Sequence, residues 1–164
     1  MSTYVKRFIE VKCDDKWIPL MYNGKLISRC SNLTDIRDKL PENGFPSDIS
    51  PEIKAEIESE EYKFHIGYIT SQRLYELYEN SEQEMLNYVQ SFYSSTDKEP
   101  EQLTDREILI DLFNTVHTPF DQIYSDWSGE FYQFSNLIGE IDGIAEVFTE
   151  TWNDDDIRIV YYFC

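Results

Sequence analysis

The last stretch of the chain, Asp156-Ile157-Arg158-Ile159-Val160-Tyr161-Tyr162-Phe163-Cys164, constrains the fold more than any other. Six of the eight residues from Ile157 onward favour extended backbone. A run apolar on nearly every position reads as a strand covered on both faces, and therefore as a central one. Its natural partner is the opening segment Tyr4 to Lys12, where Tyr4, Lys6, Phe8, Glu10 and Lys12 alternate with Val5, Arg7, Ile9 and Val11. If these two ends pair, they close one domain and everything between hangs from their sheet. The expected architecture is a single α+β domain over residues 1–164, with a mixed or antiparallel sheet formed by both chain ends and helices inserted between them.

Local signals fill in that frame. Cys13-Asp14-Asp15-Lys16 is a polar turn, and Trp17 to Tyr22 is its return strand, in which Pro19 marks an edge or a break. Asn23-Gly24 between Met21-Tyr22 and Leu26-Ile27 predicts a tight hairpin. Thr34 caps a short helix to Leu40, a loop follows from Pro41 to Ser47, and Ser50-Pro51-Glu52 starts a mostly solvated helix ending near Glu60. Phe64 to Thr70 alternates as a strand, after which Thr70 or Ser71 caps a helix carrying Leu74, Tyr75, Leu77 and Tyr78. Ser81-Glu82-Gln83-Glu84 has the form of a capping box and predicts a new helix over Met85 to Tyr93. Ser94 to Gln102 reads as a loop. A second box, Thr104 to Glu107, opens an amphipathic helix with Ile108, Leu109, Leu112, Phe113 and Val116 that Pro119 ends or kinks. Phe131, Phe134, Leu137, Ile138 and Ile141 continue at helical spacing. From Ile144 to Trp152 the pattern fits either the end of that helix or a strand, and β-branched Val147, Thr149 and Thr151 favour the strand. Asn153 to Asp156 is the turn into the last strand.

Composition bears on function mainly through charge. Thirty-two Asp and Glu against fourteen Lys and Arg give a net charge of −18. Phosphate affinity comes from cation-driven counterion release, so direct binding to nucleic acid or to anionic membrane is not expected. No window reaches the roughly 18 apolar residues of a membrane span, and Met1 to Arg7 lacks the apolar run of a signal peptide. Three cysteines, Cys13, Cys30 and Cys164, are odd in number and without metal-like spacing. The chain reads as soluble and cytosolic. Its charge has two readings: an acidic, well-solvated surface, or carboxylates that imitate nucleic-acid phosphates and fill a basic groove on a partner.

Two stretches carry a resemblance. Leu40-Pro41-Glu42-Asn43-Gly44-Phe45-Pro46-Ser47-Asp48-Ile49-Ser50-Pro51-Glu52-Ile53-Lys54 resembles a segment of uncharacterised proteins of tailed bacteriophages and prophages, and Asp155 to Phe163 is similar to their closing Arg-Ile-Val-Phe-Trp-Phe strand. Phe64 to Thr70 and Leu74-Tyr75-Glu76-Leu77 stand where those proteins have a strand and a helix. Phe8-Ile9-Glu10-Val11 and Asp15-Lys16-Trp17 partly echo their opening, which begins Met-Gly-Cys-Asp-Ile-His. About a third of the chain is covered, in order. The resemblance implies phage origin and no particular chemistry. The family's Cys-Asp-x-His opening is replaced here by Ser2-Thr3-Tyr4-Val5-Lys6-Arg7-Phe8.

No catalytic, cofactor or metal motif is present. His65 and His117 have no ligand spacing to Cys or carboxylate, so His65 reads as a structural hydrogen-bonding residue. Asp154-Asp155-Asp156 lacks the spacing of a calcium loop and reads as a solvated turn. Glu52, Glu56 and Glu60 fall on one helical face, and with Glu76 and Glu79 they are the candidate acidic face for a partner. Tyr62, Tyr68, Tyr75, Tyr78, Tyr88 and Tyr93 are either interface anchors among these acids or core residues. The expected function is therefore non-enzymatic: a phage protein in the host bacterial cytoplasm, binding a host protein through its basic surface as a DNA mimic or anti-defence inhibitor. The alternatives are a small metal-dependent hydrolase with a degenerate site, or a virion or assembly component.

Overall fold

The computed structural model describes residues 4–94, 120–147 and 154–164. Strand β1 (Val5–Cys13) is followed by β2 (Lys16–Pro19), a β3 (Met21–Tyr22) and β4 (Lys25–Leu26) hairpin, and β5 (Ser28–Ser31). Helix α1 (Pro51–Ser59), strand β6 (Phe64–Thr70) and helices α2 (Ser71–Ser94) and α3 (Phe120–Val147) precede the last strand, β7 (Ile157–Phe163). The main sheet runs β2-β1-β7-β6, with β5 also on β1, and each of these pairings is antiparallel. First and last strands thus form the central pair, as their apolar patterns predict, and the fold is α+β. Every residue of β7 is buried because the strand is covered on both faces.

Alternation assigns those faces. Ile157, Ile159, Tyr161 and Phe163 join Val5, Val11 and Ile69 under α2 and α3, where Leu74, Phe134, Leu137 and Ile141 complete one core. Val160, Tyr162 and Phe8 face the other way, onto Ile53 and Ile57 of α1. Those two side chains are the only buried residues of α1, and burying each contributes about 1.5–3 kcal/mol.

Turn chemistry holds where expected. Asp14, Asp15, Asn23 and Gly24 all have positive φ, as tight hairpin turns require. Pro19 ends β2 at an edge of the sheet. The β3–β4 hairpin is an excursion: Leu20 N–H donates to Ile9 O and Ile27 N–H to Leu20 O, so β2 and β5 share one edge of β1 on either side of it.

Several expectations are corrected. Thr34 is the first residue of a short 3-10 helix (Thr34–Ile36), and the Asn32 side chain accepts its N–H at 3.0 Å. Ser50 occupies the N-cap of α1 without a side-chain cap bond. Its N–H donates to Glu10 Oε1 at 2.8 Å, and its buried hydroxyl has no partner among the described residues. Ser81 starts no helix. It lies inside α2, buried on the stripe that runs from Leu74 to Met85, and its hydroxyl donates to Glu130 Oε1 at 3.2 Å. The helical stripe continues through the box, and that outweighs the local capping signal. Ile144–Val147 are helical, not strand, and Asp154–Asp156 form a 3-10 turn. The loop expected after Ser94, the helix expected from Thr104, and Pro119 lie outside the described residues.

The outer edge of β6 is covered by the Pro41–Gly44 loop instead of by a strand. Asn43 uses its side-chain amide as a strand would, accepting Tyr68 N–H at 2.9 Å and donating to Tyr68 O at 3.2 Å. Gly44 N–H reaches Ile66 O at 3.0 Å, and the Tyr161 hydroxyl donates to Pro41 O. Gly67 lies beneath this strap. A Cβ there would sit 2.1 Å from Pro41 O and 2.7 Å from the Tyr161 hydroxyl. Gly67→Ala is therefore expected to cost about 3 kcal/mol in urea unfolding, since backbone and a packed ring must both move.

Candidate functional site

Charge in this protein is arranged at two levels, inside the sheet and on its surface. Glu10 and Arg158 are direct cross-strand partners in β1 and β7, and both are almost wholly buried. Arg158 Nε donates to Glu10 Oε2 at 2.6 Å, and Nη1 donates to Asp48 Oδ1 at 2.8 Å. The guanidinium carbon lies 4.0 Å from the Trp17 ring centroid and 5.7 Å from that of Tyr68. On the opposite face Arg7 Nε donates to Glu140 at 3.2 and 2.9 Å, and Nη1 donates to Ser31 Oγ at 2.6 Å. Each guanidinium is held through Nε, Nη1 and Nη2 by groups on other elements, so these pairs position strands and helices.

The five candidate carboxylates do not form one face. Glu52, Glu56 and Glu60 belong to α1 or its C-cap, on one side of the sheet, and Glu76 and Glu79 to α2, on the other. Within the first group, Glu56 is held by Lys6 Nζ at 2.7 Å and Glu60 accepts the Tyr162 hydroxyl at 3.4 Å, so both lean back onto the sheet. Glu60 also has extended backbone, which takes it off the helical row. Glu76 pairs with Arg73 at 2.8 Å. Glu52 and Glu79 are exposed and form no ion pair among the described residues.

The rings divide similarly. Tyr68 packs beside the α1 core, while Tyr75 and Tyr78 are half-buried against the other core, with Tyr78 4.9 Å from Phe131. Tyr88 and Tyr93 have side chains outside the described residues. Of the four whose side chains are described, Tyr62 alone is a surface ring, 75% exposed, and Phe64 two residues on is 45% exposed. Pattern reading misses Phe64 because its position in an alternating strand resembles a core one. Phe64 pairs with Phe163 at the end of the sheet, its ring 6.0 Å from that of Phe163, and both Tyr62 and Phe64 follow Glu60 and Glu61 in the connection from α1 to β6.

His65 has a positive φ at the irregularity where β6 leaves register. Its Nε2 is 3.0 Å from Leu40 O, its Nδ1 is 3.6 Å from Glu42, and its ring lies edge-on to Phe163 at 5.0 Å. The imidazole anchors the strap over β6. His117 lies outside the described residues. Desolvation, with Cys30 and Glu60 nearby, pushes the Cys164 thiol above its ordinary range, which disfavours a thiolate nucleophile. Burial likewise raises the Tyr161 and Tyr162 hydroxyls, with Glu42 adding at the first and Glu60 at the second. Among the described residues no group of three His, Cys, Asp or Glu is placed to hold a metal ion, and no helix is long and apolar enough to cross a membrane.

No protein-family model matches the chain, and no curated protein and no solved structure matches it.

Two stability tests follow from the buried charges. Arg158→Met should cost about 3–5 kcal/mol by stranding Glu10. Glu10→Leu added to it should recover only part of that, because the buried Ser50 N–H then loses its acceptor, as a double-mutant cycle in urea would measure. The Arg158 hydrogen bond holds the Asp48 carboxyl below its ordinary value of 3.8. The native state thus takes up this proton less readily than the unfolded chain. The contribution is present at neutral pH and is lost as pH falls through the native value. Asp48 is 61% exposed, so Asp48→Asn should remove under about 1 kcal/mol of that acid-dependent loss.

Proposed function

We propose that this chain works by protein–protein contact, as a phage product in the host bacterial cytoplasm that covers the basic surface of a nucleic-acid-handling host protein. The observation that carries this reading is the corner between α1 and β6. Exposed Tyr62 and Phe64 follow Glu60 and Glu61 directly in sequence there, on a chain of net charge −18. Rings give a partner contact area at low entropic cost, and carboxylates around them select a cationic partner and speed its encounter. The buried ionisable groups support it too, since Arg7, Glu10, Glu140 and Arg158 are paired with one another. The phage origin rests on the resemblance of Leu40 to Lys54 and of the last strand, and a partner that handles nucleic acid follows from the sign of the charge.

The α1 row contributes less than its spacing suggests, because Glu56 and Glu60 are engaged by Lys6 and Tyr162. The surface offered to a partner is therefore Glu52 and Glu61 together with the two rings, all of them exposed, while exposed Glu58 has Lys54 at 3.9 Å. Tagged protein in bacterial lysate at low ionic strength is expected to retain a basic nucleic-acid-binding protein and to displace nucleic acid from it. Retention should disappear at about 0.5 M salt, where charges are screened over a few ångströms. A Tyr62→Ala, Glu61→Lys variant should lose it at any salt while unfolding at the wild-type midpoint. Retention of such a partner equally by the variant, or of none, would refute the proposal.

A further inference from the structure

Between the β1–β5 edge and α3 lies a groove of about 660 Å³. That volume is within the roughly 300–1,000 Å³ typical of small-molecule sites. Its character changes along its length. Arg7 and Arg29 face it as register partners, with Ser31 two residues beyond Arg29 on β5. In the other direction come Ile9 and then Leu20 and Ile27, linked to it in sequence by backbone hydrogen bonds. Helix α3 borders the groove with Ser135 and Asn136 before Glu140, and with Ile144 after it.

The two arginines are not equivalent. Arg7 is 6% exposed and its guanidinium is engaged by Glu140 and Ser31. Arg29 is 65% exposed, and the carboxylate nearest it is the same Glu140, at 4.0 Å. Because Arg7 already balances Glu140, Arg29 leaves the groove with one net positive charge on a chain whose total is −18. Ser31 Oγ accepts from Arg7 Nη1, so its own proton is available to a second acceptor. Gly139 and Gly143 border the same groove one helical turn apart, and a Cβ at either would meet no atom within 4 Å. Glycine is the poorest helix former after proline, and among the described residues no packing calls for either one. Both leave the helix backbone open to an occupant.

We propose that this groove binds a small aliphatic carboxylate. The carboxylate group pairs with Arg29 and accepts the Ser31 hydroxyl. The aliphatic chain lies over Ile9, Leu20, Ile27 and Ile144, against the glycine side of α3. One uncompensated guanidinium matches a monoanion, and its fork suits a bidentate carboxylate. The described lining has no aromatic ring on which a nucleobase would stack, which favours an aliphatic body. The site is on different residues from the proposed partner surface, so either proposal can fail alone.

Calorimetric titration of the full chain with decanoate, decanol and decylammonium tests this. Saturable one-to-one binding of decanoate is expected, with decanol weaker and decylammonium not bound. Arg29→Gln should weaken decanoate by about tenfold or more, the size of a lost charge-assisted hydrogen bond. Gly143→Leu should abolish binding by filling the apolar half of the groove. Its thermal midpoint should be unchanged or higher, because the added side chain meets open space and leucine is the better helix former. No saturable binding, binding as strong for decanol, or binding indifferent to both substitutions would overturn the proposal.

Discussion

The contact on which the rest of the structure depends is the ion pair between Glu10 and Arg158. The two residues are directly opposed in the central strands and nearly inaccessible to water. A buried ion pair adds little net stability, because desolvating both charges offsets most of their attraction. Its effect is on specificity. Sliding β7 by one residue against β1 would turn Arg158 to the other face and leave two charges buried and unpaired. The native register is thus the one in which both are satisfied. The same guanidinium reaches further: it hydrogen-bonds Asp48 and lies over Trp17 of β2. Glu10 in turn holds the N–H of Ser50, the residue that starts α1. One pair of side chains therefore fixes strand register, sheet edge and helix position together.

Arg7 and Glu140 do the corresponding work on the other face, tying α3 to β1 and, through Ser31, to β5. β5 needs such a tie. Its four residues, Ser28–Ser31, are exposed or half-exposed and give it little apolar burial of its own. Phe134, Leu137, Ile138 and Ile141 pack α3 into the core it shares with the sheet, and the ion pair fixes where along the sheet the helix sits. The groove beside Arg29 exists because α3 is anchored there by a charge pair and presents glycines on the adjoining side.

The sequence made some of this legible and not the rest, for physical reasons. β1, β6 and β7 could be read because each is long enough to show its apolar alternation or continuity, and the Asp14-Asp15 and Asn23-Gly24 turns because few residues tolerate positive φ. β5 shows no such pattern, since it is held by pairing with β1 and by the Arg7–Ser31 hydrogen bond and not by apolar burial. The extent of α2 is hidden because Ser81 and Glu84 satisfy a local rule that the continuing stripe overrides. Ion-pair partners are hidden altogether: Arg7 and Glu140 are 133 residues apart, Glu10 and Arg158 148 apart, and no local pattern links them. The candidate acidic face was legible as composition and spacing. That Glu52 and Glu76 lie on opposite sides of the sheet depends on which face each helix packs against, which periodicity alone does not specify.

The distribution of cations gives the surface its character. Fourteen Lys and Arg serve a chain with thirty-two Asp and Glu. Arg7 and Arg158 are withdrawn into the interior, and Lys6, Lys39 and Arg73 are drawn onto Glu56, Glu130 and Glu76. Each cation so used neutralises a carboxylate that helps hold strands and helices in place. Carboxylates left facing water without such a cation include Glu52, Glu61 and Glu79. Their mutual repulsion opposes compactness, and the cores on the two faces of β7 must overcome it. The buried pairs withdraw cations and carboxylates one for one, so the whole carboxylate excess of the composition stays on the exterior, where a basic partner can read it.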